Sequence, residues 1–102
     1  MIHVIAVVTA KPGQREPILQ AFRANVPAVR AEKGCIEYGA AVDAENALSF
    51  QAKWGPDTFV VVEKWESMDA LKAHAAAPHM AAYGAKTREF IASRSIHILS
   101  PA

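Results

Sequence analysis

The chain predicts an α+β fold, one antiparallel sheet with its helices packed on a single face. Three observations lead there. Its 102 residues suit a single domain, 1–102. The apolar pattern switches between strand and helix periods in the order β-α-β-β-α-β. Turn residues fall between the segments. That order is the split βαβ, or ferredoxin-like, arrangement.

Ile2–Ala10 (IHVIAVVTA) is rich in β-branched residues and short enough for a strand. Lys11-Pro12-Gly13 is turn chemistry that ends it. From Gln14 to Lys33 the residues Ile18, Leu19, Phe22, Val26 and Val29 recur at helical steps and define one face. Pro27 lacks an N–H and crowds the carbonyl one turn back, so a kink or weakened ladder is expected near Arg23–Pro27. Gly34 supplies a left-handed stop. Cys35–Asp43 (CIEYGAAVD) reads as the second strand, Asp43–Asp57 as a long connection, and Thr58–Glu66 as the third strand. Ser67 is a suitable N-cap, with Asp69 favourable in the first turn. Ala76–Pro78 breaks this helix, and Pro78 suits the start of another. Met80, Tyr83, Thr87, Phe90 and Ile91 mark one face of a helix ending near Ala92. Ser93–Ser100 (SRSIHILS) is the last strand.

The strands carry a second message. One face of FVVVEKW holds Phe59, Val61, Glu63 and Trp65, and the other holds Val60, Val62 and Lys64. Ile2–Ala10 is also apolar on both faces, whereas a sheet covered on one side alternates apolar and polar. Helices cover only one face. The other is expected to meet a second copy, giving a two-fold homodimer by sheet-on-sheet packing.

Composition excludes several classes. Hydrophobic residues make up 52% and charged residues 21%, which describes a globular chain. A net charge of +1, with Lys and Arg scattered singly, offers no stripe for nucleic acid or anionic membrane. No apolar run is long enough to span a bilayer, and the opening MIHVIAVVTAKPG does not read as a signal peptide. The single Cys35 cannot form an internal disulfide, which fits a cytoplasmic location. A lone Cys at a strand start is more often core than nucleophile.

The candidates for chemistry gather in Thr58–Tyr83. His74 lies one helical turn after Leu71, so it leans toward the core, where an imidazole serves as general base or acid. Glu63 stands in an apolar strand beside Trp65 and must either find a partner, such as Arg30 or Arg94, or face a wet cavity. In a cavity its pKa rises and it becomes a second candidate base. Trp65, Phe59, Tyr38 and Tyr83 could stack on a flat ligand, though aromatics at such positions are more often plain core. Trp54, beside Gly55-Pro56, is a possible lid. His79 follows the helix break, and its five-residue offset from His74 is poor for two metal ligands, so no metal is expected. No Gly-rich phosphate loop, CxxC or HExxH motif is present, and no nucleotide cofactor is expected. The alanines of the second helical region leave volume that suits a pocket.

E-K-G-C-I-E-Y (Glu32–Tyr38), F-V-V-V-E-K-W-E (Phe59–Glu66) and A-L-K-A-H-A-A-A-P-H-M (Ala70–Met80) resemble the antibiotic biosynthesis monooxygenase (ABM) domain family, in particular its small quinol monooxygenase-like members. The resemblance covers nearly the whole chain. It implies a dimeric α+β barrel of ferredoxin-like protomers, each with a pocket between sheet and helices. It also implies oxidation of a small aromatic phenol or quinol by O2 without metal or flavin. On matching positions His74 or Glu63 would be the base. Trp65, Phe59, Tyr38 and Tyr83 would shape the pocket, with His79 as a proton relay. Related haem-degrading enzymes use an Asn, a Trp and a His where this chain has Ala6, His74 and Gly84, so haem degradation is not expected. Another branch isomerises phosphorylated diketones and shares a P-H motif like Pro78-His79. Few cations fall on the expected pocket faces, which disfavours a phosphate. The alternatives are therefore an isomerase or tautomerase acting on a small ketone, and a non-catalytic dimeric stress protein that binds small molecules.

Overall fold

A computed structural model describes residues 1–102. The elements run β1 (Ile2–Ala10), α1 (Arg15–Arg30), β2 (Cys35–Ala41), β3 (Thr58–Trp65), α2 (Met68–Ala75), α3 (Pro78–Thr87), a 3-10 turn (Arg88–Phe90) and β4 (Ile91–Leu99). The four strands form one antiparallel sheet in the order β2-β3-β1-β4. The expected ferredoxin-like α+β order is therefore present, with the second helical region split in two.

The register sorts each strand by face. Val4 lies opposite Glu63 and Ala6 opposite Val61, while Tyr38 flanks Glu63 from the other side. Val4, Ala6, Val8, Tyr38, Phe59, Val61, Glu63 and Trp65 are all buried, and this is the face the helices cover. Ile18, Leu19, Phe22 and Val29 of α1 and Leu71 of α2 close the core over it. On the opposite face Ile5, Val7, Val60 and Val62 are only half-buried in the protomer. Within the protomer the third strand is thus buried on one face, and its other apolar face is the one expected to meet a second copy.

Local chemistry explains the boundaries. The Ser67 side chain accepts from the Ala70 N–H at 3.1 Å and starts α2. Pro78 opens α3, where its missing N–H leaves no ladder bond unmade. Pro27 lies inside a helix that continues to Arg30, because in the last turn it removes only one ladder donor. The helix ends at Arg30, not Lys33. The last strand begins at Ile91, not Ser93, because Ile91 pairs with Ala10 across a bulge and so leaves the expected helical face.

Gly34 fixes the crossing of two elements. Its φ of +85° is left-handed, and an added Cβ would lie 2.6 Å from the Ala70 Cβ. Both conditions demand glycine. The turn after α1 therefore packs directly on α2. Gly34→Ala should lower unfolding free energy by about 2–3 kcal/mol. Gly13→Ala, at φ +76° but in open space, should cost only about 1 kcal/mol. Urea denaturation of the pair measures the difference, and equal losses would refute the steric account.

Candidate active site

Strand alternation and one tight turn assemble the site. Glu63 and Trp65 project from the same face of β3 because they are two residues apart. The Trp65 Nε1–H donates to Glu63 Oε1 at 2.9 Å. On α2, Ala70 and His74 are one turn apart and share a face. The approach of Gly34 to Ala70 thus brings the preceding residues of the turn beside His74. The result is a contact of 2.8 Å between His74 Nδ1 and Glu32 Oε2.

His74 is buried and held on three sides. Its other nitrogen, Nε2, lies 3.8 Å from Glu63 Oε1, just beyond hydrogen-bond length. Trp65 lies tilted across the imidazole with ring centroids 4.6 Å apart, and Tyr38 meets it edge-on at 5.5 Å. A carboxylate only accepts, so the short Glu32 contact requires the proton on Nδ1. In the neutral ring this leaves the Nε2 lone pair facing Glu63 and the cavity. Glu32, His74 and Glu63 form a carboxylate–imidazole–carboxylate row.

The row ends at a cavity of about 420 Å³ between sheet and helices, within the ordinary range for small-ligand pockets. Glu63 and His74 line it together with Tyr38 and Tyr83. Phe22, Val61, Leu71 and Met80 supply apolar wall. Trp65 and Phe59 are fully buried and stand behind the wall, not in it. His79 is also outside the lining, with Nε2 3.4 Å from Glu32 Oε2 and Nδ1 buried without a partner. Trp54 is exposed on the long connection and does not cover the cavity. Asp43 instead ties that connection down, accepting from the Trp54 and Gly55 N–H groups at 3.0 and 2.9 Å.

Sequence reasoning misses Glu32 and takes Arg94 only as a partner for Glu63. Glu32 opens a quoted motif but lies in the turn after α1, far in sequence from His74. Its only signal is the close packing that Gly34 permits. Arg94 lines the cavity from β4 and does not pair with Glu63; an arginine on an edge strand carries no such signal. Arg30 is likewise no partner for Glu63, since its guanidinium donates to the Tyr38 carbonyl at 3.0 and 3.2 Å.

Residues 1–86 match the profile described as antibiotic biosynthesis monooxygenase. The chain belongs to the antibiotic biosynthesis monooxygenase family. It is 40% identical over 103 residues to the Escherichia coli K12 protein named probable quinol monooxygenase YgiN, covering 99% of this chain and 98% of that one. Among solved structures it is similar to PA3566 from Pseudomonas aeruginosa, with 26% identity, a TM-score of 0.80, and coverage of 99% and 93%. Rv0793 from Mycobacterium tuberculosis gives 25% identity, a TM-score of 0.81, and coverage of 99% and 94%.

Protonation within this ABM domain is set by burial. Desolvation raises the Glu63 pKa above its ordinary 4.5; the Trp65 hydrogen bond and His74 pull it down, and Glu32 pushes it up, with a net upward shift. Burial also pushes Tyr83 up to about 12 and Tyr38 further, so both keep their hydroxyl protons. The Cys35 thiol is raised by burial and then by Glu32 and Glu63, which makes it a poor nucleophile. No cluster of three or more His, Cys, Asp or Glu side chains has the arrangement of a metal site. No helix is long and apolar enough to cross a membrane.

The Glu63 shift has a sign that can be measured. A carboxyl with a raised folded-state pKa contributes stability that is complete below its unfolded value and lost as pH rises through the folded one. Glu63→Gln keeps an acceptor for Trp65 but does not titrate. Its stability relative to wild type should therefore climb as pH rises from about 4 toward neutrality. Urea midpoints across that range test this, and a falling difference would reject the upward shift.

Proposed function

We propose that this ABM-family chain is a cofactor-independent monooxygenase that oxidises a small aromatic phenol or quinol with O2. The observation that carries it is the Glu32–His74–Glu63 row meeting an apolar cavity. Triplet O2 reacts slowly with closed-shell organic molecules, but a phenolate donates one electron readily. His74 Nε2, with Glu32 holding the Nδ1 proton, removes the phenolic proton. The resulting imidazolium lies between two carboxyl groups that stabilise it. Electron transfer gives a phenoxyl radical and superoxide, confined by the apolar wall. They combine at a ring carbon ortho or para to the phenolic oxygen that still bears hydrogen, forming a C–O bond, and a proton from the row converts the peroxide to a hydroperoxide. Removal of the hydrogen on that carbon breaks the O–O bond, leaving a carbonyl and releasing hydroxide. One oxygen atom enters the product and the other leaves as water, so a phenol plus O2 balances to a quinone plus water, and a quinol plus O2 to a hydroxyquinone plus water.

Full-length similarity to a protein named as a probable quinol monooxygenase supports the same substrate class. O2 uptake by chelator-treated protein with a dihydroxynaphthalene should fall about 100-fold in kcat for His74→Ala. Glu32→Gln should lower kcat less and displace its pH profile, since Glu32 acts through His74. Turnover that requires added metal or flavin would overturn the proposal. Solvent deuterium entering a ketone substrate without O2 uptake would favour the isomerase reading.

The half-buried apolar strip Ile5, Val7, Val60 and Val62 supports a homodimer closed by sheet-on-sheet packing. Sedimentation should give twice the protomer mass, and Val62→Glu should give a folded monomer. A monomeric wild type at micromolar concentration would remove the dimer.

A further inference from the structure

We infer that Arg94 anchors an anionic group, so that the cavity takes an elongated aromatic acid whose carboxylate lies at the end remote from its ionisable hydroxyl. The inference rests on the proposed use of the cavity and names the substrate more closely. Charge is unevenly distributed along the cavity lining. Glu63 and His74 occupy one end, and Arg94 is the only Lys or Arg in the lining.

The register places these groups far apart. Glu63 on β3 pairs with Val4 of β1, whereas Arg94 on β4 pairs with Val8 of β1. Four residues along the strands and two strand spacings across separate their Cα atoms by roughly 16 Å. Both side chains line the same cavity, whose volume of about 420 Å³ suits a fused bicyclic ring between the two ends. The wall between them is apolar, with Val4, Ala6, Val8, Ile96 and Ile98 on the sheet side. Ile96 and Ile98 are about half exposed, which opens the cavity toward the β4 edge where Arg94 stands.

Arg94 is uncommitted. Arg15, Arg23 and Arg30 each donate to a protein oxygen. Arg94 takes part in none of the protomer's ion pairs. Tyr83 lines the same cavity and keeps its hydroxyl proton, a second donor on the wall. A free guanidinium offers a planar, forked site for a carboxylate. A neutral ring lacks that contact. An anion lodged at the other end would instead lie against Glu63, so the arrangement also sets the direction in which the ring enters.

The test is binding without turnover, by isothermal titration calorimetry under nitrogen, with 6-hydroxy-2-naphthoate and its uncharged counterpart 2-naphthol as probes. Wild type should bind the acid about tenfold more tightly than the naphthol. Arg94→Gln should erase that preference while changing naphthol affinity less than about twofold, and Arg94→Lys should keep part of it. The preference should also shrink as salt is raised. Equal affinities of wild type for the two probes, an undiminished preference in Arg94→Gln, or no binding of the acid would each overturn the inference. O2 uptake with an uncharged quinol, measured separately on wild type and Arg94→Gln, reads the oxidation proposal by itself, so the two can fail independently.

Discussion

Glu63 is the constraint around which this protein is organised. A carboxyl placed mid-strand on the covered face of a sheet is costly unless something meets it. Here Trp65, the next residue on the same face, donates from its indole, and His74 comes down from the helix above. The indole thereby has a double role. Its ring fills the core and supports the imidazole, while its N–H satisfies the acid. Replacing the tryptophan by another large apolar residue would preserve volume but strand the carboxyl.

That arrangement also accounts for the division between solid core and cavity. Phe59 and Trp65, near opposite ends of β3, pack completely into the core. Further toward β4 the helical cover consists of Ala75, Ala81 and Gly84, and these small side chains leave the void unfilled. The break at Ala76–Ala77 lets α3 start on a new heading with Pro78 at its first turn. His74 in the last turn of α2 is therefore positioned at the rim of that void, where one nitrogen is fixed by Glu32 and the other is available.

The two sheet faces serve different ends. The covered face alternates large apolar residues with the few polar groups of the site. The other carries a strip of β-branched residues that no helix of the protomer reaches. Lys64 and Glu37 pair at 3.2 Å on that same side and mark its polar margin. An apolar centre with a charged margin is the pattern of a contact surface.

The sequence by itself determined the elements, their order, the split at Pro78 and the prominence of Glu63 and His74. Those features depend on local chemistry: β-branched runs, a Ser67 cap, a proline at a helix start, and an acid in an apolar strand. Tertiary structure alone decided which residues share a space. Glu32 and His74 are 42 positions apart, and their contact exists because Gly34 has no Cβ to hold the turn away from Ala70. The family resemblance made Phe59 and Trp65 pocket residues, yet they are fully buried behind the wall. Arg94 enters the cavity only through the pairing of β4 with β1. Spacing along a chain constrains neighbours within a turn or a strand, whereas contacts between elements are fixed by how their surfaces fit.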